Sequence, residues 1–325
     1  MRPFNHINAG SLDEASGILK KGGAVAIAGG GDLLGALKDN ILPEYPRTVV
    51  NIKSIPGLDN IDVHDGVMRI GALAKLADIA RNPAVAGRAP ALAQAAGNAS
   101  HPTLRETTTI GGNLCQLPRC WYFRKLNNRF DCARKGGERC FAVSGDNRYH
   151  SVFGGAAFEA GGAGRACFAV NQGDVAPVLV AMGAFLKTTE RLIPAEEFFG
   201  VGVMSSTVLG CGEMLTEIQA PVSELARRCR YRRFTFRKSI DFPVISVAAT
   251  ADEANNYRIC LGGVAPVPYR ALKAEELLEG KELTPELAEE AGIAAAEGAK
   301  PFEANAYKVT LIKTLVKREL LAMAE

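Results

Sequence analysis

The stretch "VAIAGGGDLLGALK", Val25 to Lys38, reads as a short apolar strand, a glycine turn, and a helix that starts at Asp32 with apolar residues at helical spacing. Strand, glycine loop and helix together make an anion cradle. Glycines let the backbone come close to a phosphate, and their amides, with the positive end of the following helix, offer it donors. A triple glycine also serves as a plain tight turn, so the stretch gains meaning only with a partner. That partner is "TIGGNL", Thr109 to Leu114, which follows a predicted helix over Pro90 to Ala99 and a "HPTLRETTT" loop. Neither stretch has the G-x-G-x-x-G spacing of a dinucleotide fingerprint or the GxxxxGK[ST] of a phosphate loop. Two separate glycine cradles suit a long diphosphate ligand gripped from two sides.

Around the cradles the chain is mixed α and β. "VVNIKSIPGLDNIDVHDGVMRIGALAKLADIA" alternates short strands with turns before a helix, and an apolar helix or strand starts at Val175. After Pro221, "RYRRFTFRKSIDFPVISVAATADEANNYRICLGGVAP" reads as an antiparallel meander turning at "EANN", and the tail from Leu272 to Glu325 reads as helices. A domain boundary is expected near Pro221. At 325 residues, 47% apolar and 22% charged, the chain has room for two or three domains with proper cores. A net charge of +3 with scattered Lys and Arg argues against nucleic acid, which needs a concentrated basic face. "MRPFNHINAG" lacks the apolar run of a signal peptide, and the longest apolar run, Val175 to Leu186, is too short to span a bilayer. A cytosolic (cytoplasmic) protein with no membrane span is expected.

Four of the eight cysteines fall in "CQLPRCWYFRKLNNRFDCARKGGERC", Cys115 to Cys140, with no CxxC pair. In a reducing compartment clustered thiols are more often metal ligands or redox groups than disulfides. Structural zinc usually draws on CxxC knuckles, which are absent here. The role of small buried apolar side chains suits Cys211, Cys229 and Cys260, but fits poorly among the charges of "RFDCARKGGERC".

"AGGGDLL", "TIGGNL", "GDVAPVL", "DFPVISVAA" and "LGGVAPVPYRA", in this order, resemble the FAD-binding medium subunit of the xanthine dehydrogenase (molybdenum hydroxylase) family over essentially the whole chain. The resemblance implies an α+β fold. Residues 1–221 would form a two-subdomain FAD-binding domain of the vanillyl-alcohol-oxidase type, and residues 222–325 a C-terminal domain with a three-stranded antiparallel sheet and helices. It implies that Ala28, Gly29, Gly30, Gly31, Asp32 and Leu33 wrap the FAD diphosphate, together with Thr109, Gly111, Gly112 and Asn113. Asp174 resembles the residue that binds the ribityl or adenosine end. Arg233 falls where relatives often carry Lys near the flavin ring, and Arg237 matches a recurring Arg; Arg233 and Lys238 fit a solvated strand face equally well.

Most members pass directly from the GGN loop to the equivalent of "GDVAPVL", whereas here about fifty residues, 116–168, intervene. The insertion resembles a subgroup typified by the 4-hydroxybenzoyl-CoA reductase and a periplasmic bacterial aldehyde oxidoreductase, which carries one 4Fe-4S cluster. On that resemblance the ligands are Cys120, Cys132, Cys140 and Cys167. Cys115 competes for a place, but it sits at the end of the second cradle and is read as a core or near-flavin thiol. Between Arg119 and His150 stand eight Lys or Arg against three Asp or Glu, a balance suited to an anionic cluster. Trp121, Tyr122 and Phe123 would shield a cluster or simply pack the loop. "FGGAAFEAGGAGRAC", Phe153 to Cys167, has little intrinsic order, so a cluster would have to pin it.

The chain has neither the C-x4-C-x2-C run of plant-type 2Fe-2S proteins nor length for a molybdopterin domain. The resemblance therefore implies an electron-transfer FAD and iron-sulfur subunit of a heteromeric molybdenum hydroxylase-type complex. Its partners would be a large molybdopterin-binding subunit, a small 2Fe-2S subunit and an external carrier such as ferredoxin. Two other readings compete: a stand-alone FAD-dependent oxidase, with His101 or Cys115 as flavin tether, and a zinc-stapled non-catalytic binding module.

Overall fold

Strands Asn5–Asn8, Thr48–Asn51 and Ala24–Ile27 lie side by side in a parallel sheet, with the last of them in sequence in the middle. The computed structural model describes residues 1–157, 165–222, 224–237 and 240–324; part of the glycine-rich segment, 158–164, and Lys238 lie outside them. Parallel neighbours need crossovers, and helices Leu12–Lys20 and Leu33–Lys38 supply them. Ser11 caps the first, accepting from the Glu14 amide at 3.2 Å while Glu14 accepts from the Gly10 amide at 2.7 Å. The first glycine cradle thereby falls at the carboxyl end of strand Ala24–Ile27, the end at which α/β sheets bind ligands.

A five-stranded antiparallel sheet follows, in the order Ile61–His64, Val67–Gly71, Leu215–Pro221, Phe185–Thr188, Leu192–Pro194. Met68, Ile70, Leu186, Ile218 and Ala220 on these strands form one core with helices Pro90–Asn98 and Val175–Ala181. The stretch from Val175, open between helix and strand in the sequence, is a helix with all seven residues buried. Its Pro177 sits in the first turn, where a missing amide leaves no bond unmade.

In the C-terminal domain, strands Arg230–Phe234, Ile245–Ala251 and Tyr257–Gly262 form the expected meander, and the two-residue strand Tyr269–Arg270 adds a fourth edge by pairing with Cys260 and Leu261. Every residue of Ile245–Ala251 is buried, because both faces of the sheet are covered. Tyr231, Ala248 and Cys260 face the helices of the FAD-binding half. Val247, Ala249, Ile259 and Leu261 face helices Leu272–Leu278, Pro285–Ala295 and Tyr307–Ala324. Side chains alternate across a strand, so one sheet serves both cores. Of the three solitary cysteines, Cys229 and Cys260 are buried as expected, but Cys211 is exposed, standing in the turn that leads into strand Leu215–Pro221.

Glu213, in the same turn, is nearly buried. Its carboxylate accepts from Arg191 Nε at 2.9 Å, Arg191 Nη2 at 3.1 Å, Thr188 Oγ1 at 2.7 Å and the Gly210 amide at 2.8 Å. The Arg191 guanidinium, above all, holds its carboxyl down at about 2. A depressed carboxyl stabilises the fold above its unfolded value and loses that contribution as pH falls through the folded one. The fold should therefore lose about 2 kcal/mol between roughly pH 4.5 and pH 2 from this group, a figure reduced because Arg191 is half exposed. In urea melts across that range, Glu213→Gln is expected to remove this part of the acid slope; an unchanged slope would contradict the assignment.

Lys308 is fully buried on helix Tyr307–Ala324, and burial pushes its ammonium down to about 7. It donates to the carbonyls of Tyr149 at 2.8 Å, His150 at 3.0 Å and Gly263 at 2.8 Å. Asn305 Nδ2 adds bonds to the carbonyls of His150 and Ser151, both at 3.1 Å. Together they staple the end of the cysteine-bearing insertion to the C-terminal domain. Lys308→Met leaves the Tyr149 and Gly263 carbonyls without a donor, while that of His150 keeps Asn305, and should cost about 2 kcal/mol, roughly 1 kcal/mol for each. A denaturant midpoint equal to that of the unaltered protein would refute this.

Candidate functional site

A cleft of about 500 Å³ opens where the two cradles meet. Ala28, Gly29, Gly30, Gly31, Asp32 and Leu33 line it from one side, and Thr109, Gly112 and Asn113 from the other. A Cβ on Gly29 would lie 2.0 Å from the Thr107 carbonyl oxygen, so the loops touch only because residue 29 has no side chain. Gly30 adopts φ +74°, a left-handed conformation that glycine takes freely. The second cradle is the first turn of a short helix, Ile110–Leu114, with Thr109 Oγ1 accepting from the Gly112 amide at 3.2 Å. Gly111 does not line the cleft. It packs against Ala72, whose carbonyl oxygen would stand 2.8 Å from an added Cβ.

Asp174 forms part of the floor and is almost fully buried. Burial raises its pKa, opposed by Arg233, which donates to Oδ1 at 3.1 Å, and by Tyr231, whose hydroxyl donates to the same atom at 2.5 Å. Arg233 lies behind the lining, not on it, and acts on the cleft through Asp174. Arg237 is largely exposed and pairs with Asp241 at 3.2 Å. Asp32 sends its carboxylate away from the cradle amides. It accepts from the Leu117 amide at 3.0 Å and pairs with Arg119 at 2.9 Å and Arg124 at 2.6 Å. His101 and Cys115 both line the cleft, and burial pushes the Cys115 thiol up to about 12. Sequence reasoning missed the opposite wall, including Gln172, Met204, Ile240 and Phe242, which reach the cleft from distant segments with no periodic signal.

A second cavity lies within the insertion. Cys120, Cys132, Cys140 and Cys167 line it together with Phe123, Arg134 and Phe141, whereas Cys115 does not. Among the described residues no three His, Cys, Asp or Glu side chains converge on a point where a single metal ion could sit. Main-chain amides turn toward the sulfurs: those of Tyr122 and Phe123 toward Cys120, those of Arg134 and Lys135 toward Cys132, and that of Ala169 toward Cys167 at 3.4 Å. Burial pushes the Cys120 thiol up to about 12 and the Cys167 thiol up to about 11, and raises that of Cys132. His150 Nε2 lies 3.3 Å from Cys120 Sγ, and burial, reinforced by Lys308, pushes the ring down to about 4.

The cations around this cavity have divided roles. Arg119 and Arg124 are taken up by Asp32, and Arg148 by Asp146 at 2.9 Å. Arg134 and Lys135 are buried, and neither forms an ion pair with a carboxylate among the described residues. Arg134 bonds Ser206 Oγ at 2.9 Å while its buried Nε has no partner; Lys135 bonds Asn128 Oδ1 at 2.7 Å and stands over the Phe123 ring. Two buried cations with no ion pair, Lys135 having only the more distant Asp131 carboxylate, are costly unless further negative charge fills the space beside them. Phe123 is buried against the cysteines, while Tyr122 packs on Phe130 and Phe141, and Trp121 Nε1 donates to the Asp146 carbonyl at 3.1 Å.

Residues 2–223 match the family described as the FAD binding domain in molybdopterin dehydrogenase. The chain belongs to this family. Residues 230–323 match the CO dehydrogenase flavoprotein C-terminal domain, so both halves of this FAD-binding protein are accounted for. It is similar to the aldehyde oxidoreductase FAD-binding subunit PaoB of Escherichia coli (strain K12), with 32% identity over 265 residues, 79% of each chain. It is also 27% identical over 322 residues to the carbon monoxide dehydrogenase medium chain of Hydrogenophaga pseudoflava, covering 96% of this chain and 94% of that one. The solved structure of carbon monoxide dehydrogenase from that organism, in a form lacking the Mo-pyranopterin moiety, superposes with a TM-score of 0.75 at 24% identity, covering 100% of this chain and 99% of that one. That likeness supports the mixed α and β fold. No helix among the described residues is long and apolar enough to cross a membrane.

Proposed function

We propose that the chain is the flavin and iron-sulfur electron-transfer subunit of a heteromeric molybdenum hydroxylase-type oxidoreductase. The observation that carries the finer part of this reading is the meeting of Cys120, Cys132, Cys140 and Cys167 at one cavity beside the unpaired cations Arg134 and Lys135. Four thiolates around a cubane make a net anion, for which two buried cations and several amide donors to sulfur are suitable surroundings. FAD supplies, when bound, the conversion between one-electron and two-electron transfer, and a cubane supplies single-electron transfer.

In this reading the chain's own residues bind, shield and balance charge. The cradle amides receive the diphosphate, and the Asp174–Tyr231–Arg233 network fixes the floor of the cleft. Phe123, Tyr122 and Phe141 keep water from the cysteines. Leu117 lines the cleft and its neighbour Pro118 lines the cysteine cavity, so a flavin and a cluster held there would be near neighbours. Partners would be a large molybdopterin-binding subunit and a small 2Fe-2S subunit, as the medium-chain names of the relatives suggest, with ferredoxin or a similar carrier outside. A cytosolic location goes with this function, since thiols kept as metal ligands suit a reducing compartment. Affinity purification of the tagged chain from its native cells should recover both partner subunits in fixed proportion. Recovery of an active flavin oxidase free of other chains would overturn the reading.

A further inference from the structure

Charge in the cleft singles out one side chain. The described lining includes three carboxylates, Asp32, Asp174 and Asp241, and a single Lys or Arg, Arg119. Asp174 is answered by Arg233 and Asp241 by Arg237, both outside the lining. The cradle helices, Leu33–Lys38 and Ile110–Leu114, are six and five residues long, too short for much dipole. Glycine amides can therefore supply donors to a diphosphate, but its charge must be met by a side chain.

Arg119 is built into place. Its Nη2 pairs with Asp32 at 2.9 Å, its Nε and Nη2 both lie 3.3 Å from Gln116 Oε1, and its guanidinium stands 5.1 Å from the centre of the Phe242 ring. Asp32 also holds Arg124 at 2.6 Å, so the trio of one carboxylate and two guanidiniums keeps a net positive charge. A lone carboxylate in the first cradle would repel a diphosphate; this one is already covered. We propose that Arg119, a residue of the cysteine-bearing insertion, is a further dinucleotide-binding residue, the cation that meets the FAD diphosphate. Asp32 is the positioning residue that holds it. The inference rests on the FAD reading and is independent of any metal in the cysteine cavity.

The test titrates deflavinated full-length chain with FAD and with riboflavin, which lacks phosphate, at low and high ionic strength. Arg119→Ala should raise the Kd for FAD at least ~10-fold, lessen its salt dependence, and leave riboflavin unchanged. Arg119→Lys should fall between, because the charge stays while the planar fork is lost. Asp32→Asn should weaken FAD in the same direction, and Asp32→Glu should restore part of the loss. FAD affinity of Arg119→Ala within about twofold of the unaltered chain, or equal losses for FAD and riboflavin, would overturn the role of Arg119. Tighter FAD binding by Asp32→Asn would overturn that of Asp32. Unaltered chain that binds neither flavin would instead overturn the FAD reading itself, and this inference with it.

Discussion

Serine at Cys120, Cys132, Cys140 or Cys167 is expected to remove the broad visible absorption of an iron-sulfur cluster from oxygen-protected protein, whichever of the four is changed. Each thiolate would hold one iron corner, and a serine oxygen is a harder, poorer donor to a site that selects soft ligands. Burial sharpens the effect. With the Cys120 thiol pushed up to about 12 and that of Cys167 to about 11, these groups stay protonated at neutral pH unless a metal displaces the proton. Cys115→Ser should spare the absorption, because Cys115 lines the flavin cleft and not the cysteine cavity. Bleaching by Cys115→Ser with survival of Cys167→Ser would show that the fourth ligand has been misassigned.

Gly29→Ala should yield protein without flavin and cost about 3 kcal/mol of stability, at the upper end of what overpacking does. Its new methyl would stand 2.0 Å from the Thr107 carbonyl oxygen, a backbone atom that cannot turn aside. The two cradles would have to separate, and the cleft needs both. Gly35→Ala is the matched control. Gly35 lies on the following helix with nothing within 4 Å of an added Cβ, so alanine there should retain FAD and stabilise by about 0.5–1 kcal/mol. Flavin content and thermal midpoints of the two variants decide the point; equal flavin in both would contradict this account of the cradle.

The parts of the fold with a period were legible. The first cradle, the C-terminal meander and the closing helices announce themselves through spacing of two or 3.6 residues and through glycine. The fourth strand, Tyr269–Arg270, is too short to leave a pattern, and Val175–Ala181 is apolar all round, so its type waited on packing. Asp32 shows why adjacency misleads. Beside three glycines it reads as part of a phosphate loop, yet its partners Arg119 and Arg124 come from a segment more than eighty residues later, without periodicity of its own. Lys308 is similar: a lysine on a closing helix reads as solvated, and only the meeting of the insertion with the C-terminal domain gives it three carbonyls. Gly111 and Arg233 stand next to the cleft without lining it, a distinction of about one side-chain layer that motif reading does not resolve.

Iron, acid-labile sulfide and flavin measured together on freshly isolated, oxygen-protected chain test the central claim most directly. The account predicts about four irons, about four sulfides and about one FAD per polypeptide. Flavin with a single zinc, or flavin with no metal at all, would contradict the cluster, and protein lacking flavin as well would contradict the whole assignment.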